Sequence, residues 1–241
     1  MVKKTFFDFW KKKKIFVTGH TGFKGSWLVL FLNVLGANVA GYSLQPRKKD
    51  IIFLNSNIKK EVVAVVNNKN NQLSDYTGAQ YVVTVDNMSN GLFLALYYEN
   101  HVKKSIEGKV SIPCRTYPSV PCEIIHAGLK VEFEPVEGKT IKGMYQLKGS
   151  NVWDSALTFT ADMYKQGQHM CISFTGPYKH FKLSKGGAIL TDNYKAYLWF
   201  KRARYSGRRE CSYHDDYFDM LGWNFYMMPE LASRGLLLMN Q

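Results

Sequence analysis

The stretch that decides the fold runs from residue 151 to residue 187 and reads NVWDSALTFTADMYKQGQHMCISFTGPYKHFKLSKGG. Asp154 ends a short apolar run, and a second apolar run covers residues 170–174. That second run is followed by a Gly-Pro turn, by Lys179 and by the glycine pair at 186–187. Short apolar runs bounded by turn residues are typical of buried strands. The pattern predicts strand, loop, strand, loop, with an Asp and a Lys each just beyond a strand end.

A carboxylate and a lysine in this arrangement are the two groups that a pyridoxal phosphate (PLP) enzyme requires. The lysine forms a Schiff base with the cofactor, and the carboxylate holds the proton on its pyridinium nitrogen. Taken singly, an Asp after a strand is usually a turn residue and a loop Lys is usually a solvated charge. Taken together with the matches on both sides, Asp154 and Lys179 are predicted to be catalytic.

The stretch resembles the DegT/StrS family of sugar aminotransferases, which have the type I PLP-transferase fold. That family reads roughly D-x-A, then S-F-x-x-x-K, then G-x-G-G, and the counterparts here are 154–156, 173–174, Lys179 and 186–187. Counting back from the glycine pair, Lys179 falls at the Schiff-base position, whereas Lys182 and Lys185 do not. One extra residue precedes Lys179, so a different local turn is expected.

The resemblance runs from Tyr76 to the C-terminus and implies a set of cofactor-binding residues. They are Ser89, Asn90, Tyr117, Asp154, Ala156, Ser173, Lys179 and Asn224. Ser89 and Asn90 would hold the cofactor phosphate at a helix N-terminus, the alternative being an ordinary N-cap at Ser89. Tyr117 would stack on the cofactor ring, the alternative being a structural tyrosine packed under a loop. Asn224 would reach the phosphate in the neighbouring subunit, which implies a homodimer with shared sites.

Three positions depart from the family pattern. Met88 stands where glycine is usual, Leu157 where Gln or His contacts the cofactor's phenolic oxygen, and Tyr226 where Arg is expected. The Leu157 contact is therefore expected to be lost. None of the three changes affects the Asp154 and Lys179 pair.

The N-terminal region has a second pattern: an apolar strand at 15–17, a glycine-rich turn, an apolar helix at 26–35 and a strand at 38–42. Its glycines Gly19, Gly22 and Gly25 follow G-x-x-G-x-x-G spacing and are candidates for a dinucleotide phosphate loop. Residues 10–46 resemble the start of CDP-glucose 4,6-dehydratases of the extended short-chain dehydrogenase family. The sequence thus offers a phosphate-binding turn without the rest of such a cofactor site, so both NAD(P) binding and its absence stay open.

A dehydratase would also need a Tyr-x-x-x-Lys pair. Tyr178 and Lys182 satisfy that spacing. The tyrosine should open a long helix, whereas here Gly-Pro precedes it and the glycine pair follows soon after. The match is interpreted as coincidence.

The predicted fold class is α/β. Residues 59–241 are expected to form the large domain of a type I PLP-transferase, with a mixed, mainly parallel sheet and helices on both faces. Residues 1–46 add a Rossmann-type βαβ fragment, and 47–58 form a polar junction. Within the large domain, the pattern over 59–71 fits a helix with valines on one face, although the β-branched content leaves this segment ambiguous. Residues 139–148 are interpreted as a polar connector. The family's C-terminal small domain is expected to be missing.

Composition narrows the class of partners. The chain has 241 residues and a formal net charge of +13, which suits anionic ligands. No nucleic-acid-binding signature is present, so nucleic acid is not expected as a main partner. An arginine cluster at 202–209 is interpreted either as a contact for a nucleotide diphosphate or as a solvated helix face. The apolar run at 27–40 is too short and too broken to span a bilayer, so no membrane association is predicted.

The cysteines Cys114, Cys122, Cys171 and Cys211 lack C-x-x-C or zinc-ligand spacing. They are interpreted as reduced structural thiols of a cytoplasmic protein, and no metal site is predicted.

The family resemblance implies transfer of an amino group, usually from glutamate, to a keto sugar carried on a nucleotide. Related dehydrases of the family have His at the lysine position, so Lys179 favours amino transfer. Two alternatives stay open. One is an NAD(P)-dependent nucleotide-sugar dehydratase, and the other is a non-catalytic product of gene fusion and truncation.

Overall fold

The computed structural model describes residues 9–20, 23–43, 60–63, 66–136, 143–175, 183–211 and 215–239. The chain divides into two compact units, Met1–Lys69 and Asn70–Gln241. The division lies further along the chain than the predicted start of the large domain at residue 59.

The first unit contains a three-stranded parallel sheet in the order β1-β2-β3. Its elements are β1 (Lys14–Thr18), α1 (Phe23–Val34), β2 (Asn38–Ser43) and β3 (Lys60–Val63). Val17, Val29 and Val39 are buried between helix and sheet. The strand, helix and strand predicted from the glycine turn are therefore present.

The helix predicted over 59–71 is wrong in its first part. Residues 60–63 form β3, which pairs in parallel with β2, and the helix α2 runs over Val66–Thr77. Adjacent valines at 62 and 63 favour a strand once a partner edge is available. The sheet begun by β1 and β2 thus extends beyond the predicted boundary at residue 46.

The glycine turn of the first unit depends on close backbone approach. Gly19 has a positive φ of 67°, and a Cβ added at Gly25 would lie 2.1 Å from the Gly19 carbonyl oxygen. Ser26 Oγ donates a hydrogen bond of 2.9 Å to the His20 carbonyl. Glycine at 25 therefore lets the start of α1 pack directly on the turn. Gly22 lies outside the described residues.

Gly25→Ala is expected to lower the opening free energy of β1 and β2 amides by about 1–3 kcal/mol, because the added methyl overlaps backbone that cannot move aside. Residue-level hydrogen exchange of the full chain measures this. Val34→Ala, an exposed change on the same helix, is the control and should stay within about 0.5 kcal/mol of wild type. Equal exchange in both variants would contradict the close-approach account.

The second unit is built on a sheet in the order β4-β10-β9-β8-β7, beside a parallel pair β5-β6. The strands are β4 (Tyr81–Val85), β5 (Lys109–Pro113), β6 (Lys130–Glu134), β7 (Tyr145–Leu147), β8 (Val152–Asp154), β9 (His169–Ser173) and β10 (Gly187–Thr191). A backbone bridge between Ser111 and Lys148 connects the two groups of strands, with N–H to carbonyl distances of 3.0 and 2.9 Å. The strands thus form one continuous layer.

Strand direction brings several strand ends to one edge of this layer. β10 is antiparallel to both β4 and β9, and β8 is parallel to β9. The strands β4, β8 and β9 therefore share one direction, and their carboxyl ends lie at the same edge. The mixed α/β sheet predicted from sequence is confirmed.

The sequence predicts a polar connector over 139–148, whereas the structure has the strand β7 in its second half. The three residues of β7 pair antiparallel with β8, Tyr145 opposite Asp154. Only residues 148–151 join the two strands, a length that permits a hairpin but not a parallel crossover.

Helices cover both faces of the sheet, as predicted. They are α3 (Met88–Tyr97), which continues as a π-helical turn (Tyr98–Val102), α4 (Ser119–His126), α5 (Tyr194–Ala203) and α6 (Pro229–Met239), together with α2. Alternate strand residues enter different cores: Val83 and Ile189 pack with α3, α4 and α5, whereas Val82 and Leu190 pack with α2 and α6. This alternation is the period-2 pattern of a sheet buried on both sides. Within the described ranges, no helix has the length and apolar character needed to cross a membrane.

Candidate active site

A cavity of about 630 Å³ opens at the carboxyl edge of the sheet in the second unit. Its lining includes five of the predicted cofactor-binding residues: Ser89, Tyr117, Asp154, Ala156 and Ser173. These residues follow or end β4, β5, β8 and β9, so the shared strand direction brings them together. Crevices beyond the carboxyl ends of strands are where open α/β sheets bind ligands.

Lys179 lies outside the described residues, as do Tyr178 and Lys182. The residues on either side of this segment are described. Thr175 lines the cavity, and it forms a parallel bridge with Leu183. The two described residues that flank 176–182 are therefore paired with each other, one of them at the cavity.

Asp154 is the buried acid of the cavity, with 5% of its surface exposed. Its Oδ1 accepts the Ala156 backbone N–H at 2.8 Å, and its Oδ2 accepts the Tyr145 hydroxyl at 2.9 Å. Tyr145 in turn contacts the Thr116 hydroxyl. Burial, together with the charge of Asp154, raises the pKa of Tyr145 well above its usual range. Two donors hold the carboxylate in one orientation, and hydrogen bonds to it favour its ionised form.

The N-termini of two helices meet at the cavity. Asn87 caps α3, because its Oδ1 accepts the Asn90 backbone N–H at 2.9 Å. Ser89 Oγ donates to the hydroxyl of Ser119, the first residue of α4, at 2.8 Å. Unpaired N–H groups and helix dipoles make such a place favourable for an anion. The cap is Asn87, so the alternative of an N-cap at Ser89 is wrong.

Asn90 is placed differently from Ser89. Its side-chain amide donates to Asp86 Oδ1 at 2.8 Å, and it is not among the residues that line the cavity. In this structure it fixes the turn between β4 and α3.

The glycine pair is explained by the packing at the same turn. A Cβ on Gly187 would lie 2.8 Å from the backbone N of Met88 and 2.8 Å from the Ile172 carbonyl oxygen. Gly186 has a φ of 133°, which disfavours other residues. Glycine at both positions therefore lets β10 begin directly against the N-terminus of α3, in spite of the methionine at 88.

Two cations also line the cavity, Arg115 and Lys185. Lys185 Nζ lies 3.7 Å from Asp86 Oδ2. Together with the helix N-termini they make the rim favourable for anionic groups, while Asp154 supplies negative charge deeper in the cavity.

Tyr117 and Leu157 both lie at the mouth of the cavity, 72% and 64% exposed. Tyr117 is therefore not packed under a loop, which removes the structural alternative for this residue. Leu157 presents an apolar side chain where the family usually has a hydrogen-bonding one.

Asn224 is exposed and is not a lining residue; its backbone bridges to Tyr205. The adjacent strand-like segment continues to Tyr226, which bridges to Val85 at the end of β4. The expected reach of Asn224 into a neighbouring subunit stays a prediction.

Acidic residues largely neutralise the arginine cluster at 202–209. Neither the nucleotide diphosphate contact nor the solvated helix face interpreted from the sequence includes this pairing. Arg202 pairs with Asp219, and Arg208 Nε lies 2.8 Å from Asp216 Oδ2. Arg204 is buried, pairs with Glu210 at 2.9 Å and donates to the Thr84 carbonyl. Arg204 thus attaches the segment after α5 to β4, while Arg202 and Arg208 pair with acids of that segment.

All four cysteines are free thiols, and they all lie in the described part of the chain. Cys171 is buried on β9, whereas Cys114, Cys122 and Cys211 are exposed. The expectation of thiols that form no disulfide is therefore confirmed for all four, and burial in the core applies to Cys171. Among the described residues, no group of three or more His, Cys, Asp or Glu side chains could hold a metal ion.

The architecture of the second unit is that of the type I PLP-transferases. The solved structures similar to this chain include AtS13 from Actinomadura melliaura, with 15% identity and a TM-score of 0.62 over 73% of this chain and 59% of that one. The sugar aminotransferase CalS13 from Micromonospora echinospora has 17% identity and a TM-score of 0.60, covering 75% and 61%. The aminotransferase PseC of Helicobacter pylori, involved in pseudoaminic acid biosynthesis, has 12% identity and a TM-score of 0.58, covering 74% and 58%.

Sequence comparison gives a different relative for the N-terminal part. A short N-terminal stretch is 48% identical over 59 residues to CDP-glucose 4,6-dehydratase of Salmonella typhimurium. The match covers 23% of this chain and 16% of that protein. No family model matches the chain. The chain thus spans a small part of its curated relative and about three fifths of the solved structures.

Proposed function

We propose that the second unit is a PLP-dependent aminotransferase that transfers an amino group to a nucleotide-linked keto sugar. The observation that carries the proposal is the convergence of Ser89, Tyr117, Asp154, Ala156 and Ser173 on one cavity. They come from separate strand ends, in a fold shared with solved sugar aminotransferases.

The residues present fit the cofactor. The meeting helix N-termini and Lys185 suit its phosphate, and the exposed ring of Tyr117 at the rim suits its aromatic face. Asp154 is buried and accepts hydrogen bonds from two donors, an arrangement that suits a partner for a protonated ring nitrogen. When bound, the cofactor supplies an electron sink for carbanion chemistry at the substrate carbon.

The roles of the chain's residues follow from this placement. Asp154 keeps the proton on the ring nitrogen. Lys179 would hold the cofactor and would carry a proton to and from the substrate carbon. Arg115 and Lys185 favour an anionic substrate at the rim.

The finer parts of the proposal follow from the family. Glutamate is the proposed amino donor, and a homodimer would complete each site through Asn224. The unpaired thiols support a reducing compartment, so a cytoplasmic location belongs to the same proposal.

The test is the covalent attachment of PLP. Purified protein is incubated with PLP, its absorption spectrum is recorded, borohydride is added, and the modified residue is mapped by mass spectrometry. We expect a pyridoxyl group on Lys179 and its complete loss in Lys179→Ala. Lys182→Ala is the matched control and should retain the modification at Lys179. Absence of any adduct on a folded, dimeric protein would reject the proposal and favour a non-catalytic fusion product.

A second candidate function concerns the first unit alone. The close-packed turn at Gly19 and Gly25 and the 48% identity to a dehydratase favour a nucleotide-phosphate site there. Calorimetric titration with NAD⁺ and NADP⁺ tests it, with Gly25→Ala as the comparison. Binding that this variant abolishes would support a dinucleotide role, and no binding by wild-type protein would reject it.

A further inference from the structure

Three elements that are distant in sequence meet at the buried acid of the cavity. Thr116 lies in the loop between β5 and α4, Tyr145 opens β7, and Asp154 ends β8. The hairpin register places Tyr145 directly opposite Asp154. All three residues line the same cavity.

The donors in this chain of contacts can be assigned. A tyrosine hydroxyl has one proton, and an ionised carboxylate can only accept. The Tyr145 proton therefore points to Asp154 Oδ2, across 2.9 Å. The contact between Thr116 Oγ1 and the Tyr145 oxygen must then use the threonine proton. The order of donation is Thr116 to Tyr145 to Asp154.

The surroundings make this arrangement effective. Asp154 is 5% exposed, and its partner on the adjacent strand β9 is Cys171. Burial, together with the charge of Asp154, raises the pKa of the Cys171 thiol. Among the described residues, the other titratable side chains that line the cavity are Arg115, Tyr117 and Lys185. Hydrogen bonds to an ionised group in such a place are about twice as strong as neutral ones.

We propose that Tyr145, supported by Thr116, is a positioning residue that keeps Asp154 ionised and correctly turned for the cofactor's ring nitrogen. The proposal rests on the proposed function of this cavity. Thr116 precedes Tyr117 in the chain, so the same contacts connect the acid to the loop that carries the stacking ring. A change at Tyr145 would therefore affect both the acid and the position of the stacking ring.

The competing account is a hydrogen bond that only fastens the β7–β8 hairpin. Both accounts allow a loss of stability in Tyr145→Phe. Only the positioning account requires Asp154 to protonate more readily and the cofactor to bind more weakly.

The first measurement uses the protein without PLP. The Asp154 carboxyl carbon is followed by carbon-13 NMR through a pH titration, in wild type and in Tyr145→Phe. We expect Asp154 to titrate at higher pH in the variant, because one of the hydrogen bonds that favour its ionised form is gone. Tyr164→Phe is the matched control: Tyr164 donates to the Gln168 carbonyl at 2.9 Å and is not among the residues that line the cavity. An Asp154 titration that is unchanged in Tyr145→Phe would overturn the proposal.

The second measurement uses PLP itself. We expect Tyr145→Phe to raise the dissociation constant of PLP by about 10-fold or more and to change the pH dependence of the bound cofactor's absorption. Thr116→Val should produce a smaller change in the same direction, and Thr116→Ser should restore wild-type behaviour. If wild type binds no PLP, the proposed function fails, while the carbon-13 titration still decides whether Tyr145 sets the charge of Asp154. Wild-type PLP affinity in Tyr145→Phe would reject the positioning role alone.

Discussion

Replacing Asp154 with asparagine is expected to slow the reaction of the PLP-loaded protein with glutamate by about 10³-fold. Asparagine keeps the shape of the side chain, but it cannot balance a positive charge on the ring nitrogen. The loss should appear in the chemical step, because the helix N-termini that suit the phosphate are unchanged. Stopped-flow absorption of the bound cofactor after mixing with glutamate measures this rate without a sugar substrate.

Asp219→Asn is the control for this experiment. It also removes a carboxylate, but an exposed one, paired with Arg202 in the loop after α5. Its rate should stay near that of wild type. A comparable rate in Asp154→Asn would show that this acid has no part in the chemistry, even if PLP is bound to Lys179.

Removing Glu99 is expected to have the largest effect on stability. Its carboxylate is fully buried. His169 Nε2 lies 3.1 Å from Oε1, Lys103 Nζ lies 3.0 Å from the same oxygen, and Asn151 donates to Oε2 at 3.2 Å. Glu99→Ala leaves these partners facing an apolar gap, and such a change typically costs about 3–5 kcal/mol. The network connects the π-helical turn after α3 to the start of β9.

The same network predicts a pH dependence. Burial alone would raise the pKa of Glu99, but hydrogen bonds from His169, Ser105 and Lys103 outweigh it and lower the pKa from 4.5 to about 2. A carboxyl group whose pKa is lower in the folded state stabilises the fold at pH values above its unfolded-state pKa. This stabilisation is lost as the pH falls through the folded-state pKa. Wild type should therefore lose stability between about pH 4.5 and 2 more steeply than Glu99→Gln.

Urea unfolding can be followed through fluorine-19 NMR of a fluorotryptophan at Trp199, which packs against Tyr98 in the second unit. The fluorotryptophan reports the unfolding of the second unit alone, so unfolding of the first unit does not affect the measured urea transition. Glu132→Ala is the control, because Glu132 forms an exposed pair with Lys109 and should lose at most about 1 kcal/mol. Equal stabilities of the Glu99 and Glu132 variants would contradict the buried network.

Strand ends were the part of the fold and site that sequence could predict. Asp154 ends one apolar run, Ser173 lies near the end of a second, and the glycine pair opens a third. Local patterns of this kind depend on burial of the strand itself, so they are visible in one segment at a time. The same is true of the strand, turn and helix that begin the first unit.

The missed features depend on partners elsewhere in the chain. β3 and β7 are short, and they become strands through pairing with β2 and β8. Tyr145 acquires its contact with Asp154 from the hairpin register alone. Glu99 and His169 are separated by 70 positions, and neither segment taken alone indicates the other. Tertiary contacts of this type override local preference.

The pairing of β4 with β10 has a consequence for synthesis on the ribosome. Val85 lies opposite Gly187, and Asn87 bridges to Gly186, so the turn before α3 meets the glycine pair only after much of the chain has been made. Until β10 leaves the exit tunnel, β9 has an open edge and β4 has no partner, and such edges invite pairing with other chains. These edges stay exposed while the residues between β4 and β10 are being translated, and the turn beside the cavity cannot pair with the glycine pair before β10 has been made.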